Sequence, residues 1–309
     1  MSAPDNLMES RVVLAIDAGG SNFKSALVDG DGQIVPGSFH LSPVCSDGSV
    51  EMILGTYVTL IRDALLMAEQ QSCCLRGIAV ATPGPFDYRC GTSLMRHKFA
   101  QLFAINIKEQ LIAYLPEIAA LPFCFRHDAN SFLAGEIWQG AGQGSLRVGA
   151  ITLGTGIGVA CFADGAFINN ELGSPAAEVS LWNKPCQEGI VEDYISARGL
   201  IAAYQKQRPD YDVNKGAKGI ADAAGEGDKD AIYTYRQFGT ELGRVLTPWC
   251  ECFKPEKIVF GGQISRSFAL FATAAKQSLR PNAQPPQLLP SRLGENAALL
   301  GVAAEFNER

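Results

Sequence analysis

The amino-acid sequence predicts an α/β protein of two lobes, and three observations lead there. Short apolar runs with strand character alternate with longer stretches of helical periodicity. An opening pattern of apolar strand, glycine turn, second strand and Asp-Gly turn occurs twice at one offset, since positions 154 and 19, like 164 and 29, differ by 135. With 309 residues, 47% of them hydrophobic, the chain has the material for two cores.

The elements follow in order. Val12 to Ile16 is a continuous apolar run ending at Asp17, the pattern of a buried strand. Gly19-Gly20 turns the chain and Phe23 to Val28 runs back. Asp29-Gly30-Asp31-Gly32 is a hairpin signal ahead of a third strand at Gln33 to Val35. Helical periodicity covers Glu51 to Gln70, and Gly77 to Gly84 (GIAVATPG) is a strand entering a Pro/Gly loop. Phe99, Phe103 and Ile107 recur at helical spacing and read as core or interface; a helix is expected near Ile107 to Tyr114. Leu121 to Arg126 is a short strand delivering His127-Asp128 to a helix start.

The opening then recurs, with a strand at Val148 to Leu153, a turn at Gly154-Thr155-Gly156, a strand at Gly158 to Ala163 and a turn at Asp164-Gly165. A polar loop (169–188), helices from Glu192 onward and a strand at Lys257 to Phe260 ending in Gly261-Gly262 come next. A final amphipathic helix lies in GENAALLGVAAEF. Each half therefore opens with an antiparallel hairpin. The expected lobes are residues 1–123, joined by the C-terminal helix at about 295–309, and residues 124–294.

Composition narrows the function classes. The net charge is −6 and no Lys/Arg run appears, which argues against a nucleic-acid partner. The first eleven residues are polar and lack the apolar core of a signal peptide, and no apolar stretch is long enough to span a membrane. The nine cysteines show no repeated C-x-x-C spacing, the pattern of reduced core thiols in a cytoplasmic protein. Cys250-x-Cys252 reads as core packing.

The chemistry gathers at the glycines. Asp17-Ala18-Gly19-Gly20-Ser21-Asn22 opens a strand, whereas a Walker A loop or a Rossmann turn opens a helix. Such a turn still offers consecutive backbone N–H groups to phosphate oxygens. Asp17 beside it admits two readings, a plain strand-end carboxylate or a holder of Mg²⁺ through water. Gly154-Thr155-Gly156 is the second turn, and together the two suggest hairpins gripping one polyphosphate. Asp128 in HDANSFLAGE is either an N-cap or a carboxylate aimed at an acceptor hydroxyl. Phosphoryl transfer needs an aligned acceptor, neutralised phosphate charge and one proton acceptor, and these parts would supply them.

At these residues the sequence resembles the ROK family of repressors, open reading frames and kinases, over about Arg11 to Phe306. DAGGSNFKSALVD resembles the family's first phosphate motif and ITLGTGIGVACFADGAF its second. GIAVATPGPFD resembles the segment bordering the sugar, placing Pro83 and Gly84 there. HDANSFLAGE resembles the segment with the catalytic aspartate, and KIVFGGQIS the adenosine-side motif with Gly261 and Gly262. The resemblance implies an actin-like ATPase fold (the sugar kinase and ribonuclease H-like class) with a nucleotide cleft between lobes. It also implies ATP and Mg²⁺ as cofactors, a hexose-like sugar substrate phosphorylated with Asp128 as base, Glu178 and Glu192 as sugar-binding acids, and a homodimer.

Departures accompany the resemblance. Leu181 stands where the family carries a sugar-facing histidine, and His127 where it carries an asparagine before the catalytic aspartate. The positions of its zinc-binding cysteines hold Asn183, Pro185 and Ile190, leaving Cys186 alone, so no zinc site is expected. LMRHKFAQLF, with Arg96, His97 and Lys98, replaces an Asn-rich segment; each of these residues and His127 reads either as a solvated loop residue or, together, as a pocket for an acidic or amino-bearing sugar. The competing functions are an inactive sugar- or nucleotide-binding protein, a kinase for a non-sugar acceptor, and a sugar-responsive repressor. The last is disfavoured by the few residues ahead of the first strand.

Overall fold

In the computed structural model, residues 10–280 and 284–307 are described. Most of the polar leader read above as lacking a signal-peptide core therefore lies outside the described residues. Two compact units emerge. One holds the chain up to Gly135 with Glu171–Ser174 and the chain from Ala298 on; the other holds Glu136–Asn170 and Pro175–Ala297.

The first unit starts with β1 (Ser10–Ala18), β2 (Asn22–Asp29) and β3 (His40–Pro43), followed by α1 (Val50–Gln70) and β4 (Cys73–Thr82). A small ribbon, β5 (Phe86–Asp87) and β6 (Thr92–Ser93), α2 (Ile107–Tyr114), β7 (Phe123–His127) and α3 (Asp128–Gln139) continue it. Its sheet order is β3-β2-β1-β4-β7. β1 runs antiparallel to β2 and parallel to β4, and β4 runs parallel to β7. Leu14, Ile16, Leu27, Ile61 and Val80 are among the residues filling its core, each within 1% of full burial. Burying such a side chain stabilises by about 1.5–3 kcal/mol.

The second unit repeats this plan. Its strands are β8 (Arg147–Leu153), β9 (Ile157–Ala163) and β10 (Ala166–Phe167), then a ribbon of β11 (Pro185–Cys186) and β12 (Gly189–Ile190). α4 (Val191–Tyr194), α5 (Ala197–Gln205), α6 (Gly216–Gly225) and α7 (Lys229–Phe253) precede β13 (Lys257–Gly261), α8 (Phe268–Ser278) and β14 (Gln287–Pro290), after which α9 (Ala297–Ala303) belongs, but for its first residue, to the first unit. The sheet order is β10-β9-β8-β13-β14, with β8, β9 and β10 antiparallel to one another in turn and β13 and β14 parallel to β8. The Asp164-Gly165 turn has positive φ at both residues (53° and 87°), as a tight hairpin requires.

Several expectations shift. The third strand expected at Gln33 to Val35 is a lone bridge between Val28 and Ile34. Pro36 lacks an N–H, Gly37 takes φ +79°, and β3 forms later, at His40. The Phe99–Ile107 spacing does not make one helix. Phe99 sits at φ +49° ahead of a single turn at Ala100–Leu102, with Phe99 and Ile107 buried and Phe103 more exposed (39%). The 123/124 boundary expected from sequence falls at β7, whereas the contact-defined division falls inside α3, because β7 pairs with β4.

The C-terminal segment returns to the first unit. Arg126 Nη1 donates to Gly301 O at 3.0 Å and its guanidinium pairs with Glu305. A Cβ at Gly77 would collide with the Phe306 ring, so that ring packs directly on β4.

Candidate active site

The parallel strands of the first unit end side by side. Asp17 pairs in register with Ala81 of β4, and Thr82 pairs with His127 of β7. The strand ends therefore present Asp17, Pro83-Gly84 and His127-Asp128 in one row, at the carboxyl edge where α/β sheets bind ligands.

Asp17 ends β1 opposite Lys24 of β2, with Nζ 4.0 Å from Oδ2. Burial pushes the Asp17 carboxyl up to about 6; Lys24 opposes the shift and the Asp128 charge adds to it. The turn beyond it is tight. The Gly19 N–H donates to Asp17 O (3.2 Å), and a Cβ at Gly19 would lie 2.8 Å from Asn22 O. Ser21 and Asn22 are exposed, and Ser21 O accepts from the Val44 N–H.

Asp128 is the first residue of α3. Its Oδ1 accepts the Ala129 N–H at 2.7 Å and lies 3.1 Å from His127 Nδ1, while 47% of the side chain stays exposed. An ordinary N-cap bonds the N–H two or three residues on, so the bond to the adjacent residue leaves this carboxylate turned outward. Gly84 lies where three side chains converge. A Cβ there would be 3.3 Å from Tyr88 Oη, 3.5 Å from Ser174 Oγ and 3.5 Å from His127 Cδ2. The Tyr88 hydroxyl donates to Thr82 O at 3.0 Å, and burial raises its pKa well above the usual phenol range, keeping it a neutral donor.

The second unit brings its own predicted residues together. Gly154, Thr155 and Gly156 join β8 to β9, and Gly261 of β13 pairs with Thr152 beside them. Gly262 has φ +83°, and a Cβ there would meet Leu153 O at 2.3 Å, so only glycine fits. Glu192 belongs to the same cluster. Its Oε2 accepts the Ile157 N–H at 3.2 Å, and a Cβ at Gly156 would strike that carboxylate.

Glu178 is exposed. Its neighbours Val179 and Leu181 are buried in the second core (8% and 4% exposed), and the Trp249 indole N–H donates to Val179 O at 3.0 Å. Leu181 thus sits in an apolar environment. The stretch read as a shortened zinc loop forms the β11–β12 ribbon.

Sequence reading missed Lys24, Tyr88 and Ser174. Lys24 could have been found, because the hairpin register puts it opposite Asp17. Tyr88 and Ser174 carry no local signal. Among the described residues, no three His, Cys, Asp or Glu side chains form a group that could hold a metal. One part-buried carboxylate beside a turn of amides suits Mg²⁺ arriving with a polyphosphate, since this ion keeps water and phosphate oxygens in its shell.

Known proteins resemble the chain along nearly its whole length. The ROK family model matches residues 13–309. The glucokinase of Thermotoga maritima is 26% identical over 321 residues, covering 96% of this chain and 98% of its own. The xylose repressor of Bacillus spizizenii is 24% identical, covering 94% of this chain and 76% of its own. A solved ROK family glucokinase of Streptomyces griseus, in complex with glucose and AMPPNP, superposes with TM-score 0.74 at 23% identity, covering 95% of this chain and 98% of that one. The fold is thus that of the actin-like ATPase sugar kinases.

Proposed function

The chain belongs to the ROK family, and from that premise we propose that it transfers the terminal phosphoryl group of ATP to a hydroxyl of a hexose-like sugar. Kinship with glucokinases along nearly its whole length makes it a carbohydrate kinase. The observation that carries the finer reading is the row of strand ends bearing Asp17, Gly84 and Asp128.

In this reading the half-exposed Asp128 carboxylate takes the proton of the acceptor hydroxyl. The acceptor oxygen bonds to the γ-phosphorus as the bond from that phosphorus to the β,γ-bridging oxygen breaks, its electron pair leaving with ADP. The Ala129 N–H, which donates to Asp128 Oδ1 at 2.7 Å and to His127 Nδ1 at 3.2 Å, restrains the carboxylate beside the imidazole. The backbone amides of Gly19 to Asn22 and of Gly154 to Gly156 hold phosphate oxygens, and Gly261-Gly262 border the adenosine. Asp17 would hold Mg²⁺ through water, and the ion when bound supplies charge neutralisation at the phosphates.

Pro83, Gly84, Tyr88, Ser174 and His127 shape the acceptor side, with Glu178 and Glu192 accepting hydrogen bonds from sugar hydroxyls. Glu192 already touches the second turn, so one residue would couple acceptor recognition to phosphate binding.

The test is ADP release from Mg·ATP against hexoses, amino sugars, N-acetyl sugars and sugar acids, with Asp128→Asn as control. Turnover with one sugar, falling about 10²–10⁴-fold in Asp128→Asn while ATP still binds, is the expected outcome. A second reading, a sugar-binding protein without turnover, is favoured by one observation: Leu181 is packed in the core where relatives of this family carry a sugar-facing histidine. Thermal stabilisation by a sugar with no ADP release across the panel would select it.

A further inference from the structure

We propose that Lys98 is a phosphate-binding residue that recognises the terminal phosphate of the bound nucleoside triphosphate. The inference rests on the kinase reading above. It departs from the expectation that Arg96, His97 and Lys98 together read an acidic sugar.

Three observations separate Lys98 from its neighbours. Its side chain reaches the first glycine turn, with Cδ 3.9 Å from where a Cβ of Gly20 would lie. Nothing at Gly20 blocks the approach, and the ammonium lies only two bonds beyond Cδ. Arg96 is engaged elsewhere, its guanidinium stacked 3.8 Å above the Phe103 ring.

The backbone holds this arrangement in place. Phe99, next to Lys98, is 2% exposed and held at φ +49°. Its ring lies 5.9 Å from that of Phe23, the residue directly after the glycine turn, and Phe23 is itself fully buried. A buried aromatic contact thus ties the 96–98 loop to the turn on which phosphate is proposed to sit.

The charge balance at the turn calls for such a cation. Lys24, the other lysine beside the turn, faces the Asp17 carboxylate at 4.0 Å. Asp17 and Asp128 both bring negative charge to the same strand ends. A terminal phosphate adds more, and a flexible ammonium reaching over a Cβ-free turn offsets it as a point charge. Such a contact forms with a triphosphate and is lost with the diphosphate, so it favours binding of ATP over retention of ADP.

The test is calorimetric titration of Mg·AMPPNP and Mg·ADP into the full chain, its Lys98→Met variant and its Lys98→Arg variant. Lys98 is exposed, so the variants keep the core intact. Lys98→Met is expected to weaken AMPPNP by about tenfold and ADP by less than about twofold. Lys98→Arg is expected to regain most of the AMPPNP affinity. Equal weakening of both nucleotides, or weakening of neither, overturns the assignment. A change confined to the KM for sugar acids also overturns it and puts Lys98 on the acceptor. If the unaltered chain binds neither nucleotide, the kinase reading itself falls and the Lys98 inference with it.

Discussion

The two glycine turns are built alike and equipped differently. Each closes an antiparallel hairpin at the centre of a five-stranded sheet of the same strand order. At the first, the hairpin supplies Asp17 and Lys24, and the neighbouring parallel strands deliver Gly84 and Asp128. At the second, the neighbouring strand delivers Gly261 and Gly262, and a carboxylate at the turn, Glu192, comes from a following helix and accepts from the Ile157 N–H. In the proposed function one local fold thus serves two ends, charge and proton chemistry in the first unit and a backbone cradle in the second. The difference lies in what adjacent strands and helices carry to it.

The contrast would break most visibly at Leu181. If the second unit supported side-chain acid-base chemistry here, a histidine at 181 would be tolerated. Leu181→His is instead expected to cost about 2–3 kcal/mol, because an imidazole would enter an apolar core with Leu181 only 4% exposed. Denaturant unfolding checks it, and a neutral result would show that the site is wetter than its packing implies.

Next in size is the difference between the turns themselves. Gly19→Ala brings a Cβ within 2.8 Å of Asn22 O, while at Gly154 a Cβ would have nothing within 4 Å. Gly19→Ala should destabilise by about 1–3 kcal/mol. Gly154→Ala should stay within about 0.5 kcal/mol of the unaltered chain. Matching losses in thermal unfolding would mean the two turns are equally strained.

The last expected effect is a gain. The Asp17 carboxyl is raised to about 6 from an ordinary 3.8, so ionising it in the folded state costs stability at neutral pH. Asp17→Asn should therefore stabilise the nucleotide-free protein by about 1–2 kcal/mol at pH 7.5, while impairing turnover. The gain is full above about pH 6, shrinks as pH falls from about 6 towards 4, and vanishes where both states hold a protonated carboxyl. A pH-independent gain would assign the effect to something other than this charge.

Local rules made much of this legible. Val12 to Ile16 and Val148 to Leu153 were readable as strands because continuous apolar runs of that length bury on both faces. Asp128 was readable at a helix start because a short strand runs straight into a helical pattern. By contrast, β3 was expected at Gln33 and starts at His40, since the Pro36-Gly37 turn decides where pairing resumes and the Asp-Gly signal alone does not. The approach of Tyr88 and Ser174 to Gly84 had no sequence trace at all. These residues come from segments far apart in the chain.

By itself, then, the sequence determined the α/β class, the duplicated hairpins, the two glycine turns and the aspartates at strand and helix ends. Each depends on residues within a few positions of one another, where propensity and periodicity act. Only the tertiary structure decided that Glu192 rests on the second turn, that Leu181 is core, and that Lys98 lies over Gly20 while Arg96 turns to Phe103. Those outcomes follow from packing between distant segments. Which side chain occupies a given space there depends on every neighbour at once, and no local pattern encodes it.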